Sequence, residues 1–335
     1  MTRPRPRALS GIKPTGSPHL GNYFGMIQPA ITLQDSHDAF YFVADYHALT
    51  TGRDAKVLRD ASREITATFL ALGLDPARAT FFRQSDVPEV LELTWHLACV
   101  TGTGLLMRAH AFKAAEEKGE AGTLPAGTFF YPALMAADIL AYDSDVVPVG
   151  RDQLQHVEMA QDMGGHFNAA YGNVLRRPEP MVRAEVPTIV GTDGRKMSKS
   201  YGNTIDLFAT EKNLRKAVMS YKTDSKGLTD PKDPDTCNVF SIYRLVATSE
   251  QIETMADKYR NPPPEGFGYG HAKAALAEKL LEHLAPARER YASWMSRPDD
   301  LEDVLRQGAA KARPLARAVV ERVRAKVGLP KHPST

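Results

Sequence analysis

The chain has 335 residues, 43% of them hydrophobic, and a formal charge of +2. This length and apolar content support a buried core and two domains of ordinary size, and the near-neutral total excludes a generally basic nucleic-acid wrapper, so any RNA contact must come from local patches. Cys99 and Cys237 are too few and too far apart for a disulfide framework, a four-thiolate metal site or a redox pair. No stretch approaches the roughly 20 continuous apolar residues of a membrane span, and Met1 to Arg7 lacks the apolar core of a secretory signal, so a cytoplasmic protein without membrane contact is expected.

In chain order, the arm with Arg3, Arg5 and Arg7 between prolines reads as a short flexible extension. The segment Ser10 to Gly25 then runs from a short apolar strand through a Gly/Pro turn into a helix expected over Asn22 to Leu33. Gly11, Gly16 and Gly21 leave room for close backbone approach to a nucleotide, the helix start offers free N–H groups to a phosphate, and His19 and Asn22 add side-chain donors. An ordinary strand-turn-helix connection is the plain alternative, because the spacing matches neither G-x-G-x-x-G nor the P-loop. Ala39 to Ala44 and Ala79 to Phe82 read as strands, with a helix over Ala55 to Leu72 ending near Gly73 between them. The apolar stretch Val87 to Leu106 reads equally as core or as a docking surface. A further helix over Tyr131 to Tyr142 precedes a strand at Asp145 to Val149. The alternation predicts an α/β fold with a doubly wound, Rossmann-like parallel sheet over residues 1–205. From residue 206 to 335 the chain reads as a second, all-helical domain, with helices at Lys212 to Tyr221, Gly270 to Tyr291 and Asp300 to Val327 and Pro-rich breaks at Asp230 to Asp235 and Asn261 to Pro264.

Two further segments carry chemistry. Gly194 to Asn203 is a polar loop holding Lys196 and Lys199 between glycines, suited to a transient negative charge at phosphorus; a solvated loop with surface lysines is its plain alternative. Asp138 is a lone carboxylate in an apolar helix, and an unpaired buried charge costs several kcal/mol, so it must meet a cation, backbone donors or a ligand N–H. An ionised carboxylate only accepts, and an indole N–H only donates. A structural Asp satisfied by the protein is the alternative reading.

His19-Leu20-Gly21-Asn22 and Lys196-Met197-Ser198-Lys199-Ser200 resemble the HIGH and KMSKS signatures of the class I aminoacyl-tRNA synthetases. The second matches letter for letter; the first has Asn at its last position, as tryptophanyl enzymes commonly do. The blocks Tyr131-Pro-Ala-Leu-Met-Ala-Ala-Asp138 and Val147-Pro-Val-Gly-Arg-Asp-Gln153 are similar to the tryptophan-binding region of bacterial tryptophanyl-tRNA synthetases, and the likeness extends over essentially the whole chain. It implies an enzyme that activates L-tryptophan with ATP and Mg2+ and loads it onto tRNA(Trp). It further implies Asp138 at the indole nitrogen, Tyr131 and Gln153 at the amino-acid head group, Met135, Val147 and Val149 at the ring faces, and His47, with Asp45, beside the pocket. ATP is implied to meet Lys13, Pro14, Thr15, Gly21, Asn22, Gly150, Arg151, Asp152 and the residues Lys196, Met197, Ser198, Lys199 and Ser200, with His19, Asn22, Lys196 and Lys199 carrying the chemistry.

Several positions depart from the family pattern. Lys13 replaces a frequent Gln, Arg151 stands where an acid is usual, and Ala115 stands where a second lysine follows Lys113. One remaining cysteine in the helical half cannot hold the iron-sulfur cluster that some relatives carry, so none is expected, and no protein-held metal is expected either. Eight Lys or Arg between Arg306 and Lys331, against the single acid Glu321, form a stripe that reads as a tRNA track or as a solvated helix face. The resemblance also implies a homodimer formed through the α/β half. A tyrosyl-tRNA synthetase, or a weakly active or non-catalytic RNA-binding paralogue, remains the rival reading from sequence.

Overall fold

The structure, a computed structural model, describes residues 5–182 and 189–333, apart from the side chain of Asp152. The first part of the N-terminal arm and the expected ATP-contacting side chain of Asp152 therefore lie outside the described residues. Arg7 belongs to the fold rather than to an extension. It opens the first strand, is buried, and its guanidinium pairs with Asp38 at 2.8 Å and donates to the Tyr142 carbonyl at 2.6 Å.

Strands β1 (Arg7–Ile12), β2 (Asp38–Val43), β3 (Thr80–Arg83), β4 (Val146–Val149) and β5 (Glu179–Val182) form one parallel sheet in the order β3-β2-β1-β4-β5. Strands covered on both faces read as continuous apolar runs, which is why Ala39 to Val43 is buried throughout. The strand order turns back between β1 and β4, and their carboxyl ends part into the crevice where such sheets take ligands. Gly11 serves this region: a Cβ there would lie 2.4 Å from Phe42 Cζ, so only glycine lets that ring lie across β1.

The β1 to β2 crossover holds α1 (Leu20–Asn22), a π-helical turn at Tyr23–Ile27 and α2 (Gln28–Ile31). The helical run thus starts at Leu20, earlier than the apolar period alone suggests. Helices α3 (Asp45–Ala48) and α4 (Ala55–Ala71) join β2 to β3; Asp54 caps α4 by accepting from Lys56 and Val57 N–H. Between β3 and β4 lie α5 (Glu89–Val100), α6 (Thr103–Leu106), α7 (His110–Glu117) and α8 (Ala126–Leu140), and α9 (Leu154–Tyr171) leads to β5. Helix α8 starts at Ala126 instead of Tyr131 and carries Pro132 inside it; its packing on α5 and α9 recruits the Gly-Thr-Phe-Phe segment, whose own helical preference is weak.

Helices α10 (Glu211–Met219), α11 (Asn238–Tyr243), α12 (Ser249–Arg260) and α13 (Tyr269–Met295) share one apolar cluster with Leu20, Tyr23, Phe24 and Met197, so the helical half and the two signature segments are built on common packing. Helix α14 (Pro298–Val327) leaves that half. Its Leu301 and Leu305 pack with β2, β3 and α4, and Ala312, Ala316, Val319 and Val323 join the core between the sheet, α5 and α8. Within the residues 206–335 expected as a helical unit, the apolar face of α14 is thus buried on the sheet. At Gly308 the contact is so close that a Cβ would fall 1.8 Å from the Phe81 carbonyl oxygen.

This placement also revises the basic stripe. Arg313 pairs with Glu89 at 2.8 Å, Arg322 with Asp143 at 2.6 Å and Arg324 with Glu92 at 2.6 Å, while Lys311 donates to the Pro76 carbonyl. Those side chains fasten α14 to the α/β half. On helix α5, Val90, Leu93 and Leu97 are core, whereas Leu91 is 45% and Trp95 69% exposed. Among the described residues no helix is long and apolar enough to cross a membrane.

Candidate active site at the carboxyl ends of the strands

The turn after β1 and the polar loop from the end of the α/β half meet in space. His19 caps α1: its Nδ1 accepts the Asn22 N–H at 3.3 Å while Asn22 Oδ1 accepts the His19 N–H at 3.1 Å. With Nδ1 an acceptor, the ring proton sits on Nε2, which remains a donor. Burial, reinforced by the Lys199 ammonium and opposed by Asp206, lowers the His19 pKa, so the imidazole is neutral. Lys199 Nζ donates to the Thr15 carbonyl at 3.0 Å, and the Gly21 N–H points to Met197 Sδ at 3.3 Å. Gly16 has φ +86°, and a Cβ at Gly21 would lie 2.9 Å from His19 Nδ1. Glycine is therefore required at the first by backbone conformation and at the second by space.

Met197 is buried in the cluster shared with Leu20, whereas Lys196, Lys199 and Ser200 are exposed, so one apolar side chain anchors the loop and leaves its cations at the surface. Pro14 is buried and Thr15 exposed in the same turn. Lys13 departs from this corner: its Nζ approaches Thr50 Oγ1 at 3.4 Å, beside the last turn of α3, and burial lowers its pKa. Gly150 precedes the single turn Arg151–Gln153, where Arg151 is exposed. Ala115 is buried in α7, whereas Arg108 and Lys113 are exposed.

The second cluster lies on α3, α8, β4 and the turn after it. Tyr131, Met135 and Asp138 are spaced by four and three residues and so share one face of α8; Val147 and Val149 share one face of β4. Asp138 is 1% exposed. Its Oδ2 receives hydrogen bonds from His47 Nε2 at 2.9 Å and Gln84 Nε2 at 2.7 Å, and Oδ1 receives Gln84 Nε2 at 2.9 Å. A carboxylate offers about four acceptor positions, so Oδ1 keeps capacity for one further donor. Burial is the largest influence and raises the Asp138 pKa, against the two donors that favour its ionised form. Gln84 is itself held by the Tyr46 N–H at 3.1 Å, and Asp45 fixes the adjoining segment by accepting from Ser85 N–H at 3.1 Å.

Tyr131 and Gln153 are joined through His156. Its Nδ1 meets Gln153 Oε1 at 2.9 Å, and its Nε2 meets the Tyr131 hydroxyl at 2.8 Å. An amide oxygen only accepts, so Nδ1 carries the proton and Nε2 accepts from the phenol; the phenolic oxygen, which also receives the Ala111 N–H, keeps one lone pair for a ligand donor. The His47 ring lies edge-on to Tyr131 at 6.4 Å. Sequence reasoning missed Gln84 and His156. The available signals were position alone: Gln84 directly follows the carboxyl end of β3, and His156 lies three residues after Gln153 in the first turn of α9.

Residues 1–285 match the family described as tRNA synthetases class I (W and Y). A tryptophan–tRNA ligase of Rhodopirellula baltica is 51% identical over 326 residues, covering 96% of this chain and 99% of that one. The ligase of Pseudomonas aeruginosa is 48% identical over 334 residues, covering 96% of this chain and 74% of its own length. The tryptophanyl-tRNA synthetase of Campylobacter jejuni, solved with ADP and tryptophan, superposes with a TM-score of 0.90 at 44% identity, covering 96% of this chain and all of that one. With both signature segments in contact and this similarity along nearly its full length, the chain belongs to the class I tRNA synthetases of the tryptophan and tyrosine family.

Proposed function

We propose that this enzyme is a tryptophan–tRNA ligase that forms tryptophanyl-adenylate from L-tryptophan and ATP and passes the tryptophan to tRNA(Trp). The observation that carries the choice of amino acid is Asp138, a buried acceptor with one unfilled position, set within the full-length similarity to tryptophan–tRNA ligases. Indole N–H fills that position. Phenylalanine offers no donor and leaves a buried acceptor unpaired, a difference that sites built for a hydrogen bond convert into large discrimination. The Tyr131 oxygen, with Gln153, takes the ammonium of the head group, and Met135, Val147 and Val149 flank the ring. Lys13, turned toward Thr50, suits the carboxylate side of tryptophan better than the phosphate corner.

ATP lies across the ends of β1 and β4 with its phosphates at Thr15, Asn22, His19 Nε2–H and the 196–200 loop. Tryptophan's carboxylate attacks the α-phosphorus, and pyrophosphate departs as negative charge grows on its oxygens. Lys196 and Lys199 stabilise that charge, in keeping with Lys199 already resting on the Thr15 turn. A ribose hydroxyl at the end of the tRNA then attacks the adenylate carbonyl and releases AMP. Mg2+ accompanies ATP. Among the described residues no group of three or more His, Cys, Asp or Glu could hold a metal ion.

The helical half is assigned to the tRNA and its anticodon, and the outer face of α5, with Leu91 and Trp95 exposed, to a homodimer contact. Location in the cytoplasm follows from the function. Pyrophosphate–ATP exchange without tRNA, driven by tryptophan or by tyrosine, tests the reading: exchange with tryptophan alone supports it, exchange with tyrosine transfers the enzyme to the other branch of the family, and none with either leaves a fold without the chemistry.

A further inference from the structure

We propose that Asn203 is a positioning residue for adenylate formation: it holds the backbone on which Lys196 and Lys199 are mounted. The inference rests on the role given above to those lysines. Asn203 is 2% exposed, and its side chain spends its hydrogen-bonding groups on a single loop. Its Oδ1 accepts the Ser198 N–H at 2.8 Å, and its Nδ2 donates to Asp193 Oδ1 at 2.7 Å and to the Lys196 carbonyl at 3.1 Å. One amide therefore grips the loop at its stem, at the first lysine, and immediately before the second.

Local structure is fitted around this amide. A Cβ on Gly191 would fall 2.3 Å from Asn203 Cγ, so glycine at 191 leaves the room Asn203 occupies. The Asn203 backbone carbonyl accepts Thr192 N–H at 3.0 Å, and Gly191 N–H closes the loop onto the Arg195 carbonyl at 2.7 Å. Hydrogen bonds from Asn203 and from the Arg195 N–H, with the Arg195 guanidinium, hold the Asp193 carboxyl down to about 2, so the acceptor facing Nδ2 is ionised. Met197, between two Asn203-held residues, makes the contact with Gly21, and Lys199 follows the gripped Ser198 amide.

The chemical need explains the residue type. Lysine side chains are flexible, so their ammonium groups are directed at a departing pyrophosphate only if their backbone is fixed, and a 1 Å error in such placement costs about 10²-fold in rate. The site asks for one acceptor and two donors on a short side chain. Aspartate supplies no donor, leucine neither, and glutamine is a methylene too long for the space against Gly191.

The test uses the full-length enzyme and compares Asn203→Asp and Asn203→Ser with Lys199→Ala. Single-turnover adenylate formation, ATP KM, tryptophan Kd and Tm are measured for each. Asn203→Asp places a carboxylate against Asp193 and is expected to slow adenylate formation by about 10²-fold with tryptophan Kd within about twofold. Asn203→Ser, which keeps one polar contact, gives the same split between rate and affinity if Asn203→Asp does not fold. A rate within about threefold of wild type, or a parallel loss of tryptophan affinity, overturns the assignment. If Lys199→Ala is slow while Asn203→Asp is not, only the role of Asn203 fails; if Lys199→Ala is unaffected, the reading of the loop fails and this inference with it.

Discussion

Replacing Asp138 by Asn keeps the side chain's shape and inverts half of its hydrogen bonding. The carboxylate accepts from His47 and Gln84 at 2.7 to 2.9 Å and, on the proposed function, from the indole N–H. An amide has one acceptor atom, so a donor of the new side chain must face a donor of His47, Gln84 or the substrate. A buried donor left unsatisfied costs about 1–3 kcal/mol, and the lost hydrogen bond to a charged acceptor about 1.5–3 kcal/mol more. Together they lower kcat/KM for tryptophan by roughly 10²- to 10⁴-fold. In pyrophosphate–ATP exchange with tryptophan varied at saturating ATP, this loss should appear while the ATP KM stays within about twofold. A loss under about tenfold, or an equal rise in ATP KM, would refute the reasoning. Acidity offers a second readout. Burial raises the Asp138 pKa, so the folded enzyme binds this proton more tightly than the unfolded chain does. Stability therefore falls as pH rises from the ordinary carboxylate pKa through the raised folded value, and Asp138→Asn removes that slope. Tryptophan recognition needs the ionised form, so its KM rises as pH falls through the same raised value.

Lys199→Ala should slow adenylate formation by about 10²- to 10³-fold and leave tryptophan Kd unchanged; comparable losses in both would contradict a role confined to the transition state. Gly308→Ala forces a methyl group against the Phe81 carbonyl and should destabilise the enzyme by about 3 kcal/mol, seen as a Tm lower by roughly 5–10 °C. An unchanged Tm would show that α14 is not pressed on β3. Arg313→Ala removes a charge committed to Glu89, so tRNA binding should keep its salt dependence, whereas a slope reduced by about one unit would mean that Arg313 reaches a phosphate after all.

The parallel sheet was legible because its strands are short apolar runs alternating with helix-period segments, and that pattern is local. The boundary errors at Leu20 and Ala126 arose where tertiary packing extended a helix through residues of weak preference. The pair of signatures was legible because each is a short contiguous string whose glycines answer to space and backbone conformation. Their contact, Lys199 on Thr15 and Met197 on Gly21, was not, because residues so far apart in the chain meet only after the helical half has packed against the first helix.

The sequence by itself determined the fold class, the chemistry on offer in the loop after β1 and in the lysine loop, and the anomaly of a carboxylate in an apolar helix. Only the tertiary structure decided which groups satisfy Asp138, since Gln84 and His47 come from two other segments of the chain, and only it decided that α14 returns to the sheet with its arginines paired. The reason is common to both cases. A charge or an amide looks the same in sequence whether water, substrate or protein will satisfy it, and its partner is chosen by burial, which depends on every element that packs around it.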